Sequence, residues 1–223
     1  MKTYLFDFDG TLVDSMPTFV SVMLRVLDEY GVTYGKDIVK IITPLGYHGT
    51  AKYFRQLGID ESVSKLVLQM QKYAKSEYEN KIVAKDGVIK TLMELKRLGA
   101  SLNILTASPH SMLDPCLKRI GIWTLFDNVW SCDDFETTKS NPKIYKKAAE
   151  KMGREIGDII FVDDNVEAIK TAKLAGMKSC GVYDKSAQEF VEEMKKEADY
   201  YIEGFEELIV YGLNQSTINK LNL

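Results

Sequence analysis

The 223-residue chain is poor in cysteine and histidine, with three and two of them, and Cys116, Cys132 and Cys180 stand far apart with no CxxC pair. That scarcity excludes a disulfide framework and a structural zinc site, and fits a reduced cytoplasmic protein. No run of 18 apolar residues occurs, so no segment reads as a membrane span. The stretch Thr3-Tyr4-Leu5-Phe6 behind Lys2 is too short for the hydrophobic region of a secretory signal. Positive charge is not in excess: 29 basic against 32 acidic residues leave a formal charge of −3. Binding nucleic acid takes a basic surplus or stripe, so a DNA- or RNA-binding role is excluded. Internal repeats and low-complexity segments are missing as well. What is present is 45% hydrophobic and includes 12 Tyr and 9 Phe, enough for a packed core and too much for a disordered chain. At ~100–200 residues per domain, the length allows one large domain or one domain carrying a smaller insert.

Short apolar runs bounded by turn residues predict strands at Thr3–Phe8, Leu102–Leu105, Ile159–Val162, Ser179–Val182 and Asp199–Ile202, with a weaker one at Asn128–Ser131. Helical patterns lie between them. Asp86 is placed to cap a helix with Val88, Leu92, Leu95 and Leu98 on one face and Gly99 at its end. Pro109 and Pro142 sit where first helical residues would be, behind Ser108 and Asn141. Ser186 and Glu189 match a capping box, and Gly176 closes an alanine-rich helix that starts near Asn165. Strands alternating with helices imply βαβ units, hence an α/β fold with a doubly wound, Rossmann-like parallel sheet.

One stretch breaks the alternation. From Pro17 to about Lys81 the pattern is helical throughout, with helices expected from Pro17 to Gly31, at Asp37–Ile42, His48–Leu57 and Asp60–Glu79. The first strand precedes this bundle and the rest of the sheet follows it, so the bundle is an insert. The expected division is a core of residues 1–14 and 83–223 with a helical domain at 15–82.

The chemistry is expected at the strand tips, because ligands of open parallel sheets sit outside the carboxyl ends of their strands. The first strand runs into Asp7-Phe8-Asp9-Gly10-Thr11-Leu12-Val13-Asp14, and a period of two puts Asp7 and Asp9 on one side. A second acidic pair, Asp163-Asp164, ends the Ile159–Val162 strand. Clustered carboxylates repel unless a cation, a shared proton or a division of labour relieves them; a hard divalent cation is one answer, and Mg²⁺ takes such oxygen ligands together with substrate phosphate. Thr106 brings a hydroxyl ahead of a helix N-terminus, which suits an anion, and Lys139 brings an ammonium just before the Pro142 helix. Acids, metal, hydroxyl and ammonium together describe a phosphoryl-transfer site.

The segment Asp7-Phe8-Asp9-Gly10-Thr11-Leu12-Val13-Asp14-Ser15 resembles the first motif of the haloacid dehalogenase superfamily, in its phosphatase branch. Thr106, Lys139 and Asp163-Asp164 follow in the order of the remaining motifs, and the similarity runs to the closing Gly204–Leu208 segment. The inserted bundle resembles the cap of the phosphoglycolate phosphatase and β-phosphoglucomutase group. The resemblance implies a Mg²⁺-dependent phosphatase acting on a small phosphorylated metabolite, alone or as a weak homodimer, with neither nucleic acid nor membrane as partner. It implies Asp7 as nucleophile and Asp9 as general acid and base. Thr106 and Lys139 would bind the phosphoryl group. Asp7, the Asp9 backbone carbonyl and Asp163 would hold the metal, with Asp164 or Glu167 on metal-bound water. The third motif departs from the family's Lys-Pro-x-Pro, reading Lys139-Ser140-Asn141-Pro142-Lys143, and spacing to Pro142 and Tyr145 selects Lys139 over Lys143.

In the bundle, the segment Pro44–Thr50 is expected as a loop that reads the substrate, its two glycines permitting close backbone approach. His48, Lys52 and Arg55 are candidates to meet the leaving group; a solvated helix face is the alternative for Lys52 and Arg55. The same motifs would serve a sugar-phosphate mutase. A receiver-like signalling module phosphorylated on aspartate also uses acids, Thr and Lys, but with the acidic pair first and no inserted bundle.

Overall fold

The computed structural model describes residues 2–212. Ser15–Ile82 forms one compact unit, and the chain on either side of it forms the other. The sheet unit contains β1 (Thr3–Phe6), β2 (Ser101–Thr106), β3 (Asn128–Ser131), β4 (Ile159–Asp163), β5 (Lys178–Val182) and β6 (Tyr200–Ile202). All pair in parallel in the order β3-β2-β1-β4-β5-β6. This is the doubly wound arrangement, and the direction of strand order reverses between β1 and β4. Among the described residues no helix is long and apolar enough to cross a membrane.

The Ser15–Ile82 unit holds α1 (Met16–Glu29), α2 (Ile38–Ile42), α3 (Gly46–Gln56) and α4 (Val63–Asn80). Met23, Leu27, Ile42, Phe54, Leu66 and Met70 meet in its own buried core. Each such side chain contributes about 1.5–3 kcal/mol by leaving water, so the bundle has a hydrophobic reason to be compact. The expected Pro44–Thr50 loop is absent. Thr43–Leu45 is a 3-10 turn and α3 already begins at Gly46, whose φ of 60° makes the joint between them. Thr50 is buried and its hydroxyl donates to the Ile42 carbonyl at 3.3 Å, so this segment is packed inward. Ser62, not Asp60, opens α4, its hydroxyl accepting from the Lys65 N–H at 3.2 Å.

The helices of the sheet unit are α5 (Val88–Arg97), α6 (His110–Arg119), α7 (Pro142–Met152), α8 (Val166–Ala175), α9 (Val191–Glu197) and α10 (Glu207–Gly212). Every residue of β1 is buried, as a parallel strand covered on both faces requires. Leu5 joins Ile159, Phe161 and Leu105 in one cluster with Ile144 and Tyr145 of α7 and Ile169 and Ala172 of α8. Tyr4 and Phe6, pointing the other way, stack at 5.6 Å, and Phe6 continues to Phe205 at 6.0 Å.

Asn141 and Asn165 cap α7 and α8 through their side chains, and Gly153 and Gly176 end them in the left-handed region. Other expected boundaries shift for local reasons. Gly87, at φ 78°, precedes α5, and Asp86 makes no cap. Pro109 stands outside α6 as its extended N-cap and is not its first helical residue. The Ser186–Glu189 capping box does not form, because Asp184 Oδ1 takes both the Ser186 N–H and its hydroxyl and opens a 3-10 turn at Lys185–Phe190. Strand β1 ends at Phe6, since the Phe8 carbonyl turns to accept from Leu12 and Val13.

His110, the first residue of α6, ties that helix to the segment that follows β3. Its Nδ1 lies 2.7 Å from Asp114 Oδ1 and its Nε2 2.9 Å from Asp134 Oδ2, which also accepts from the Ser131 N–H. The hydrogen bond to Asp114, reinforced by Asp134, raises the His110 pKa above its ordinary value despite partial burial. The raised folded-state pKa contributes stability that is fully present below the unfolded value of about 6.5 and is lost as pH rises through the folded value. His110→Gln is therefore expected to lower the melting temperature more at pH 5.5 than at pH 9, and a deficit that does not change with pH would refute this.

Candidate active site

Where the strand order reverses, the register alone brings two acids together. Phe6 pairs with Val162, and the Asp7 N–H donates to the Val162 carbonyl at 2.8 Å, so Asp7 and Asp163 finish neighbouring strands side by side. Asp7 is 4% exposed and Asp163 fully buried. One side-chain oxygen from each of Asp7, Asp163 and Asp164 lies within 4.8 Å of the others. Lys139 enters from the segment before α7, with Nζ 2.7 Å from Asp7 Oδ1 and 2.8 Å from Asp163 Oδ2. Its backbone is anchored by the Tyr145 hydroxyl, which donates to the Lys139 carbonyl at 3.0 Å.

The charges do not balance. Burial pushes the Asp7 carboxyl well above the usual carboxylate range; Lys139 opposes this, while Asp163, Asp164 and Asp9 add to it. Burial alone would lower the Lys139 pKa, but the pairs with Asp163 and Asp7 outweigh it and hold the ammonium charged. Asp164 is pushed up to about 7 by burial and by Asp163, against the Thr11 hydrogen bond and Lys139. One ammonium thus faces three carboxylates. Asp7 Oδ1 is buried against that ammonium, which it shares with Asp163 Oδ2. Buried negative charge left in excess is costly, and a hard divalent cation, which takes oxygen ligands, fits three converging carboxylates that share one ammonium.

Around the cluster, hydroxyls hold the other acids. Ser108 Oγ donates to Asp9 Oδ2 at 2.5 Å, and the Ser108 N–H donates back to Thr106 Oγ1 at 3.1 Å. Thr11 Oγ1 donates to Asp164 Oδ1 at 2.8 Å and accepts from the Asp164 N–H at 3.0 Å. Gly10 lets the two segments meet: at φ 75° a Cβ would stand 2.5 Å from Asp164 Oδ2. The Asp163 Oδ1 atom accepts from the Asn165 N–H at 2.7 Å, which joins this acid to the cap of α8.

Of the residues expected from the sequence, Asp7, Asp163 and Lys139 are in direct contact, and Asp9 and Thr106 are joined through Ser108. The Asp9 carboxylate faces Ser108 and is not one of the three converging side chains. Asp164 belongs to that cluster, whereas Glu167 is 75% exposed and pairs with Lys170 at 2.8 Å. Lys143 is exposed. His48 and Lys52 are exposed on α3 in the other unit. Three contributors had no role assigned from the sequence. Thr11 carried a signal in its place beside Gly10, and Ser108 in being a hydroxyl two residues past Thr106. Lys85, whose ammonium lies 2.7 Å from the Gly10 carbonyl, carried none.

A profile of the haloacid dehalogenase-like hydrolase family matches residues 4–182. The chain is 29% identical over 210 residues to the pyrophosphatase PpaX of Bacillus velezensis, covering 92% of this chain and 93% of that one. Among solved structures it is similar to a predicted phosphoglycolate phosphatase from Haemophilus somnus, with a TM-score of 0.78 at 20% identity over 96% of this chain and 98% of that one. It is also similar to CbbY of Rhodobacter sphaeroides in complex with xylulose-1,5-bisphosphate, with a TM-score of 0.75 at 18% identity over 96% and 99%. At such identities the two structures speak for the fold. The family match spans the sheet unit's acids, hydroxyls and lysine together with the insert, and the chain belongs to the haloacid dehalogenase-like hydrolases.

Proposed function

We propose that this hydrolase is a Mg²⁺-dependent phosphatase that cleaves a phosphate monoester of a small metabolite through an aspartyl-phosphate. The observation that carries the reading is the buried meeting of Asp7, Asp163 and Asp164 with the single ammonium of Lys139 at the sheet's reversal point. Asp7, which follows β1 and faces the ammonium, attacks phosphorus while the bond to the leaving oxygen breaks. Asp9, held by Ser108, donates a proton to that departing oxygen. The same carboxylate then accepts a proton from the water that attacks the aspartyl-phosphate, releasing inorganic phosphate and restoring Asp7. Thr106 and Lys139 bind the phosphoryl oxygens. Asp7, Asp163 and the Asp9 carbonyl would hold Mg²⁺, with Asp164 beside them; bound there, the ion neutralises charge that an anionic nucleophile and substrate would otherwise oppose.

The helical unit is read as a cap that selects the leaving group, with His48 and Lys52 as contacts. The PpaX relative makes inorganic pyrophosphate a first candidate beside sugar phosphates and phosphoglycolate. Three buried free cysteines suit the reducing cytoplasm.

Inorganic phosphate released from a panel of these compounds with Mg²⁺ tests the reading, and chelation of the metal is expected to stop turnover. An isomeric sugar phosphate formed without free phosphate would overturn it in favour of a mutase. Asp7→Asn is expected to abolish turnover, and with it the trapping of labelled phosphate on the protein. Asp9→Asn is expected to slow turnover by about 10²–10⁴-fold, the range of a lost acid–base group. An unchanged rate in either variant would remove the role assigned to that residue.

A further inference from the structure

Beside the site, Lys85 occupies a position that no chemistry of the four motifs explains. The Lys85 N–H donates to the Leu12 carbonyl and the Asp14 N–H to the Val83 carbonyl, both at 3.0 Å, with Val13 and Ala84 bridged antiparallel between them. This short ladder lays residues 83–85 along the segment that follows β1. From there the ammonium reaches the Gly10 carbonyl at 2.7 Å, the Tyr183 carbonyl at 2.7 Å and Asp184 Oδ2 at 3.1 Å. An ammonium has three N–H donors, and here each has an acceptor. Asp184 is itself buried, with its other oxygen taken by Ser186, so this end of the clamp is fixed. Lys85 therefore ties the turn after β1 to the turn after β5.

The Gly10 carbonyl held by this contact belongs to the peptide group that joins Gly10 to Thr11, one residue on from Asp9. The Gly10 N–H donates to the Val13 carbonyl at 3.0 Å, and a Cβ at this position would collide with the Asp164 carboxylate. Turning that peptide would carry Thr11 Oγ1 off Asp164 and move Asp9 away from Ser108. Two carbonyls and a carboxylate converging on one point demand a cation with several donors, which a neutral side chain does not supply.

We propose that Lys85 is a positioning residue: by clamping the Gly10 carbonyl to the β5 turn it holds Asp9 and Asp164 in place for the metal and the proton transfer. This rests on the roles given above to Asp9 and Asp164. It is tested first without substrate, by calorimetric titration of Mg²⁺ into Lys85→Met, Lys85→Arg, Asp184→Asn and the unaltered protein, and then by kcat and KM on p-nitrophenyl phosphate. Loss of an outer support of a metal site costs about 10–100-fold in affinity or activity, and that weakening of Mg²⁺ binding is expected for Lys85→Met. A fall in kcat of the same order, with KM little changed, is expected beside it. Removing a positive charge by itself favours a cation, so weaker binding reads lost geometry. Lys85→Arg is expected to recover most of both. Asp184→Asn, which leaves both carbonyls to the ammonium, is expected to lose stability while keeping Mg²⁺ binding and kcat. Lys85→Met, or Lys85→Gln where the methionine variant does not fold, with unaltered or tighter Mg²⁺ binding would overturn the proposal, whatever its melting temperature. Absence of turnover in the unaltered protein would instead count against the phosphatase reading, and leaves the Mg²⁺ comparison intact.

Discussion

The structure depends on a buried ammonium between two buried carboxylates. Lys139 sits within 2.8 Å of both Asp7 and Asp163, the acids that end the adjacent strands β1 and β4. Removing one partner of such a buried pair typically costs about 3–5 kcal/mol, because a charge is left without compensation. Two carboxylates side by side, Asp7 just after β1 and Asp163 at the end of β4, would repel as anions without this ammonium. The arrangement still carries more negative than positive charge once Asp164 is counted. On the proposed reading, that residual imbalance is what a cation and an anionic substrate would answer.

The surrounding contacts keep this imbalance in one geometry. Hydroxyls from Ser108 and Thr11 each grip one further acid, and the Tyr145 hydroxyl fixes the backbone from which Lys139 projects. Glycine at position 10 makes room for the Asp164 carboxylate, which any Cβ would displace. These supports come from the turns after β1 and β2 and from α7, and they hold groups that follow β1 and β4 or precede α7. The fold concentrates chemistry there because parallel strands end on the same side, while their helices cover both faces with hydrocarbon.

Much of this was legible from local pattern. Each strand was marked by an apolar run between turn residues, and Asn128–Ser131 was found with its observed ends although its signal was weak. Asn141 and Asn165 were legible because a side-chain cap acts within three residues. Boundaries failed where a rival stood close by. Asp184 takes the N–H and the hydroxyl of Ser186 itself, Gly87 starts α5 in place of Asp86, and the two glycines within 44–50, which suggest a loop, begin and line a helix. Composition names candidates in such cases, but backbone geometry chooses between them.

By itself the sequence determined that β1 and β4 end in acids, that a hydroxyl and an ammonium follow in motif order, and that a helical stretch interrupts the alternation. These are local properties, set by residue type and period. Only the tertiary structure decided which acids meet. Asp164 joins the cluster and Glu167 turns to Lys170, a choice made by Thr11, which lies 153 residues away in the chain. Only folding gives Lys85 its place, because its partners Gly10 and Tyr183 are 75 and 98 residues distant. Contacts of that separation leave no periodic trace in the chain; they arise from strand register and from the need to satisfy every buried polar group.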